Sequence, residues 1–93
     1  MAFGISEDTA VMTSKDITQD GMPILEVSHE DDEKDGSFWQ FHSGNGNYAM
    51  DRMQLVRLGT ILGIDPSVEN IAHLEMGRTA RRRAIGEPWL IDS

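Results

Sequence analysis

Cysteine is absent from the chain, so neither a disulfide framework nor thiolate metal chemistry is open to it. Lysine is nearly as scarce: Lys15 and Lys34 are the only two, and the other six basic residues are arginines. Against sixteen acids they leave a net charge of −8, without the surplus of base that duplex nucleic acid requires of a binder. No apolar run approaches the length that crosses a bilayer. Met1-Ala2-Phe3-Gly4 lacks the basic start and apolar stretch of a signal peptide. A cytoplasmic location without a membrane partner is the resulting expectation. Aromatic residues number six, yet Phe38, Trp39 and Phe41 crowd into one short segment.

What is present belongs to a folding chain. At 93 residues, 39% of them hydrophobic, one domain with a single core is expected, with little stability to spare. Residues 1–9 show no periodicity and read as a tail, leaving 10–93 as the domain. Charge divides unevenly along it. Residues 1–51 hold eleven acids against two lysines, whereas residues 52–93 hold five acids against six arginines. The acidic half repels phosphate and attracts a basic protein surface. Solubility alone is the plainer use of such charge.

The segment from Pro23 to Gly44 organises the rest. Ile24 to His29 alternates as a strand, with Leu25 and Val27 on one face. Pro23, lacking a donor, suits its start. A second strand carries Trp39 and Phe41 together on one face. Leu25, Val27, Trp39 and Phe41 are therefore expected to face the core, and Trp39→Ala to be among the most damaging substitutions. Between the strands runs Glu30-Asp31-Asp32-Glu33-Lys34-Asp35-Gly36, which cannot be buried without large desolvation costs and is read as a solvated loop.

Flanking elements follow from local chemistry. Ala10 to Thr13 reads as a short strand, followed by a helical turn capped by Ser14. Met53, Val56, Leu58, Ile61 and Leu62 recur at helical spacing, so a helix from Asp51 or Leu55 to Leu62, ending at Gly63, is expected. Gly59 disfavours that helix, and Gln54 to Leu58 is extended in the competing reading. Asp65-Pro66-Ser67 is the sharpest local signal: Asp65 caps a helix and Pro66 takes its first position. Val68, Ile71, Ala72 and Leu74 supply the apolar stripe, and Gly77 closes it. Thr79 to Ile85 reads as a final strand, after which Gly86-Glu87-Pro88 turns the chain and Trp89 folds back as an anchor. The architecture expected is α+β, an antiparallel sheet against one or two short helices.

Chemistry-bearing patterns are sparse. Asp31-x-Glu33-x-Asp35-Gly36 resembles the start of a calcium loop, but the twelfth position is His42 rather than glutamate, and the flanks are strands. His29 and His42 have no ligand spacing to support zinc. Gly44-x-Gly46-x-x-Ala49 matches a dinucleotide fingerprint only as a string, without the parallel βαβ context. No serine has the surroundings of a nucleophile. The expectation is a non-enzyme without metal or cofactor. Arg78, Arg81, Arg82 and Arg83 form the single basic cluster, read here as neutralising the acidic half of the same molecule.

The residues TSKDITQDGMPILEVSHEDDEKDGSFWQF, then LVRLGTILGIDPSVENIAHLEMGRTARRR and the late GEPW, resemble a family of small bacterial domains of unknown function. That family is grouped with the immunity proteins of polymorphic toxin systems. Gly36, Trp39, Gln40 and Phe41, Ile64 to Ser67, Gly77, Ala80, Arg81 and Pro88-Trp89 carry the likeness, which spans residues 11–90. It implies a single α+β domain that binds and neutralises a toxin, and no established active site. The leading expectation is therefore a protein-binding module. Asp31, Asp32, Glu33 and Asp35 would supply steering charge to it, and Tyr48 an aromatic anchor. The alternative is a small-ligand or anion-binding regulatory domain that uses the loop bounded by Gly44 and Tyr48 together with the arginines at 78–83.

Overall fold

The hairpin around Trp39 lies near the middle of a six-stranded sheet. The structure, a computed structural model, describes residues 6–30, 38–44 and 50–92. Its strands are β1 (Ala10–Ser14), β2 (Glu26–Glu30), β3 (Phe38–His42), β4 (Met53–Arg57), β5 (Arg78–Arg81) and β6 (Leu90–Asp92). They lie in the order β4-β1-β3-β2-β5-β6. Every neighbouring pair is antiparallel except β1 and β3, which run parallel. The fold is α+β. Among the described residues two short helices, α1 (Lys15–Thr18) and α2 (Leu58–Ile64), and a 3-10 helix over Pro66–Ile71 accompany the sheet.

Strand alternation builds the core from one face. Register places Val27 opposite Phe41 and Ala80, and Val11 opposite Val56. Ile17, Leu58, Ile61, Val68, Ile71 and Leu74 pack with that face from outside the sheet, and all are buried. Trp39 and Phe41 are buried with their rings 6.2 Å apart, and the His29 imidazole stacks on Trp39 at 3.9 Å.

Leu25 departs from the expected pattern. Regular alternation begins only at Glu26, so Ile24 turns into the core at 1% exposure while Leu25 is half-buried. Leu25 lies instead beside Gly44, where a Cβ would come within 3.7 Å of its own.

Over residues 51–62 the competing extended reading of Gln54 to Leu58 prevails up to Arg57, and the helix is shorter than expected. A 3-10 turn covers Met50–Arg52, residues Met53–Arg57 form β4, and the helix starts at Leu58. Five consecutive pairings with β1 hold this stretch extended, which outweighs its helical apolar spacing. The amides of Leu58 and Gly59 donate to the carbonyls of Thr9 and Glu7, so residues of the expected tail secure the start of α2. The helix also passes through Gly63 to Ile64, and the Asp65 amide closes it on the Ile61 carbonyl at 2.9 Å.

The final strand is shorter than expected and is followed by another. β5 ends at Arg81 because the Arg82 side chain turns into the interior. Residues 82–89 then loop back to deliver β6, which pairs with β5 from Thr79↔Asp92 to Arg81↔Leu90.

Candidate functional site

The arginine cluster resolves into separate structural roles. Arg78 Nε lies 3.4 Å from Glu75, and Arg81 Nε lies 2.8 Å from Glu26 across the β2–β5 ladder. Arg82 is interior: its Nη2 reaches Asp65 at 2.5 Å, Nη1 donates to Ser67 Oγ at 2.9 Å, and Nε donates to the Ile24 carbonyl at 3.1 Å. Asp65 also accepts from the Ser67 amide at 3.0 Å, so it caps the 3-10 helix and holds the arginine at once. Burial disfavours its charged form, but the Ser67 hydroxyl and amide, followed by Arg82, more than offset this and set its pKa below the ordinary 3.8. The half-buried indole of Trp89 lies over the Arg82 guanidinium, 4.2 Å from centroid to Cζ. The loop of residues 82–89 is thereby fastened to the body of the domain.

The two histidines of the hairpin face opposite sides of the sheet. His29 Nδ1 donates to the Leu74 carbonyl at 2.6 Å, tying β2 to the segment after the 3-10 helix. His42 pairs in register with Glu26, and its Nε2 is 2.9 Å from Gln40 Oε1. Burial lowers the His42 pKa below 6.5 despite the opposing pull of Glu26 and Glu30. Among the described residues no group of three or more histidine, aspartate or glutamate side chains is placed to hold a metal. No helix among them is long and apolar enough to cross a membrane.

Large apolar side chains are exposed at several places among the described residues, Leu55, Ile64, Met76 and Ile85 among them, and two lie together on the last strand. Leu90 is 68% exposed and Ile91 43%, and strand alternation sends them to opposite faces of the sheet. Surface clefts flank β6 on both of these sides. One of about 200 Å³ lies among His73, Leu74, Glu75, Arg78 and Ile91. A second, of about 430 Å³, is bounded by Asn70, Ile71, His73, Trp89 and Ile91, with Arg82 and the 86–88 turn. The third, of about 220 Å³, lies among Arg82, Arg83, Glu87, Pro88 and Leu90. This surface can receive side chains; of the arginines beside it Arg78 and Arg82 are committed to acids of the same chain, whereas Arg83 is exposed.

Asp31, Asp32, Glu33, Asp35 and Tyr48, the expected partner contacts, lie outside the described residues, as does most of the loop beyond Gly44. Val27, Trp39, Phe41 and Asp65 are interior, Pro66 opens the 3-10 helix, and Gly77 takes a positive φ of 86°. The β6 edge escaped the sequence reading. Its one signal was Leu90-Ile91 following a Pro-Trp turn, too short a run to show alternation. The chain matches no family model, no curated protein and no solved structure.

Proposed function

We propose that this chain is a protein-binding domain whose partner is a basic protein, and that it acts by occupying that partner rather than by catalysis. The reading is supported by the exposed Leu90 and Ile91 and the side-chain-sized clefts beside β6 on a molecule of net charge −8. Its narrower form, an inhibitor that neutralises a toxin in the cytoplasm, draws on the resemblance to immunity-associated domains. The competing anion-binding reading needs available guanidinium groups. Three of the four arginines, Arg78, Arg81 and Arg82, already hold Glu75, Glu26 and Asp65, which leaves the exposed Arg83 to that reading and favours the protein-binding one.

Affinity capture from the source cells, followed by reconstitution with the purified partner, tests this. One saturable partner is expected, with association slowed by salt. Neutralising Asp31, Asp32, Glu33 and Asp35 together should slow association further. Failure to retain any stoichiometric protein would remove the reading.

A further inference from the structure

We propose that the sheet carries a built-in parting line between β1 and β3, along which β1, α1 and β4 open as one unit while β2, β3, β5 and β6 stay folded. This conformational device does not depend on what the chain binds. Every other neighbouring pair is antiparallel and joined along its length: at five positions for β1–β4 and for β2–β3, four for β2–β5 and three for β5–β6. β1 and β3 run parallel, and register joins them at one position, Met12 with Gln40. Parallel pairing is also the weaker kind per residue.

Polar contacts follow the same line. On one side Arg52 holds Asp16 at 2.5 Å and reaches Asp20 as well, Arg57 meets Asp8 at 3.0 Å, and Thr18 is bonded to Gln54. Each of these ties residues beside β1 to residues of β4 or the turn before it. On the other side Arg81 holds Glu26 at 2.8 Å, and His29 reaches the Leu74 carbonyl at 2.6 Å. Arg82 binds Asp65, Ser67 and Ile24 there too. The Thr13 hydroxyl, which donates to the Phe41 carbonyl at 2.8 Å, crosses between the two parts.

Apolar packing crosses as well, and sets the cost of opening. Val11 and Ile17 are buried in one core with Val27 and Phe41, and Val56 packs against it partly buried. β4 itself fully buries none of its five side chains. The moving unit therefore has less apolar surface to expose than global unfolding does, and such units open below the global limit. Gly21 and Gly44, with φ of 70° and 74°, lie where the chain passes between the two parts and can absorb a rotation. At the joint with α2 the Leu58 and Gly59 amides bind the Thr9 and Glu7 carbonyls. Opening would bare the β3 edge and the Phe41 side of the core, neither of which the closed sheet presents.

Native-state hydrogen exchange of the full chain tests this. The hydrogen-bonded amides of β1 and β4 should share one opening and exchange at least about tenfold faster than those of β2, β3 and β5. Because the chain has no cysteine, Met12→Cys with Gln40→Cys places a single disulfide across the line at register partners. Oxidised, that double variant should slow β1 and β4 to the rate of β2 and β3; reduced, it should show the gap again. Trp89→Ala acts within the part that stays folded. It should quicken β2, β3 and β5 and leave β1 and β4 unchanged.

Equal exchange across these five strands overturns the proposal. So does fast exchange of β4 with β1 as slow as β3, which is fraying of an edge alone. An oxidised double variant whose β1 and β4 amides stay fast overturns it too. Should the disulfide fail to form, the order of exchange in the natural chain and the response to Trp89→Ala still decide the matter.

Discussion

The Arg82 guanidinium and the Asp65 carboxylate meet at 2.5 Å with both side chains almost wholly removed from water, at 1% and 9% exposure. One ion pair thus joins the start of the 3-10 helix to the end of β5. Removing one partner strands the other as a buried charge, which costs about 3–5 kcal/mol. Arg82→Ala and Asp65→Asn should each lower the urea midpoint accordingly. The double variant Arg82→Met, Asp65→Leu replaces both charges with apolar groups and should lose less than the sum of the singles.

Trp89→Ala tests the fastening of the loop. It removes the ring over the Arg82 guanidinium, a contact worth roughly 0.5–2 kcal/mol. Global stability should fall by about that amount. Amides of residues 90–92 should exchange faster than those of β2 and β3, because the loop delivering β6 loses its anchor.

Trp39→Ala deletes the ring between His29 and Phe41 and should destabilise the domain by about 3–5 kcal/mol. On a domain this small that is a large share of the total. Calorimetry on Trp39→Phe should show a markedly smaller loss of Tm, since much of the volume is retained.

Acid should weaken the fold in two stages. The folded pKa of His42 lies below 6.5, so the unfolded state takes up a proton first. Its contribution is full above pH 6.5 and is lost as pH falls from there through the folded value. Asp65, with a folded pKa below 3.8, contributes fully above pH 3.8 and loses that contribution as pH falls through its folded value. Urea midpoints measured against pH should flatten in the upper limb for His42→Gln and in the lower limb for Asp65→Asn.

Two glycines should respond in opposite directions. Gly77 holds a φ of 86°, and its amide donates to the His29 carbonyl at 2.6 Å, so Gly77→Ala should cost about 1–2 kcal/mol of backbone strain. Gly63 lies within α2, without a positive φ and with open space where a Cβ would stand. Gly63→Ala should therefore stabilise by up to about 1 kcal/mol. Thermal unfolding of the two variants checks both signs.

The hairpin and the Asp65-Pro66 cap were legible in the residues because both are local: alternation marks the one, and a side chain bonding two residues ahead marks the other. Residues 53–57 were legible only as a choice between helix and strand, since Met53, Val56 and Leu58 fit a helical period while Gly59 favoured the extended reading of Gln54 to Leu58. Pairing with β1, far away in the chain, decided between them. The role of Arg82 was equally hidden. Among three consecutive arginines nothing local marks the middle one for the interior; its partners Asp65, Ser67 and Ile24 are brought to it only by the completed sheet. The β6 edge depends on the same long-range closure.

The parallel contact between β1 and β3, with β4 on the other flank of β1, places the earliest strand inside the sheet rather than at its rim. On the ribosome this strand must therefore wait for its partners, β3 until the nascent chain has emerged past residue 42 and β4 until it has emerged past residue 57. Trimming the first fourteen residues would do more than shorten the protein: it would detach β4 from every other strand and cut the sheet in two.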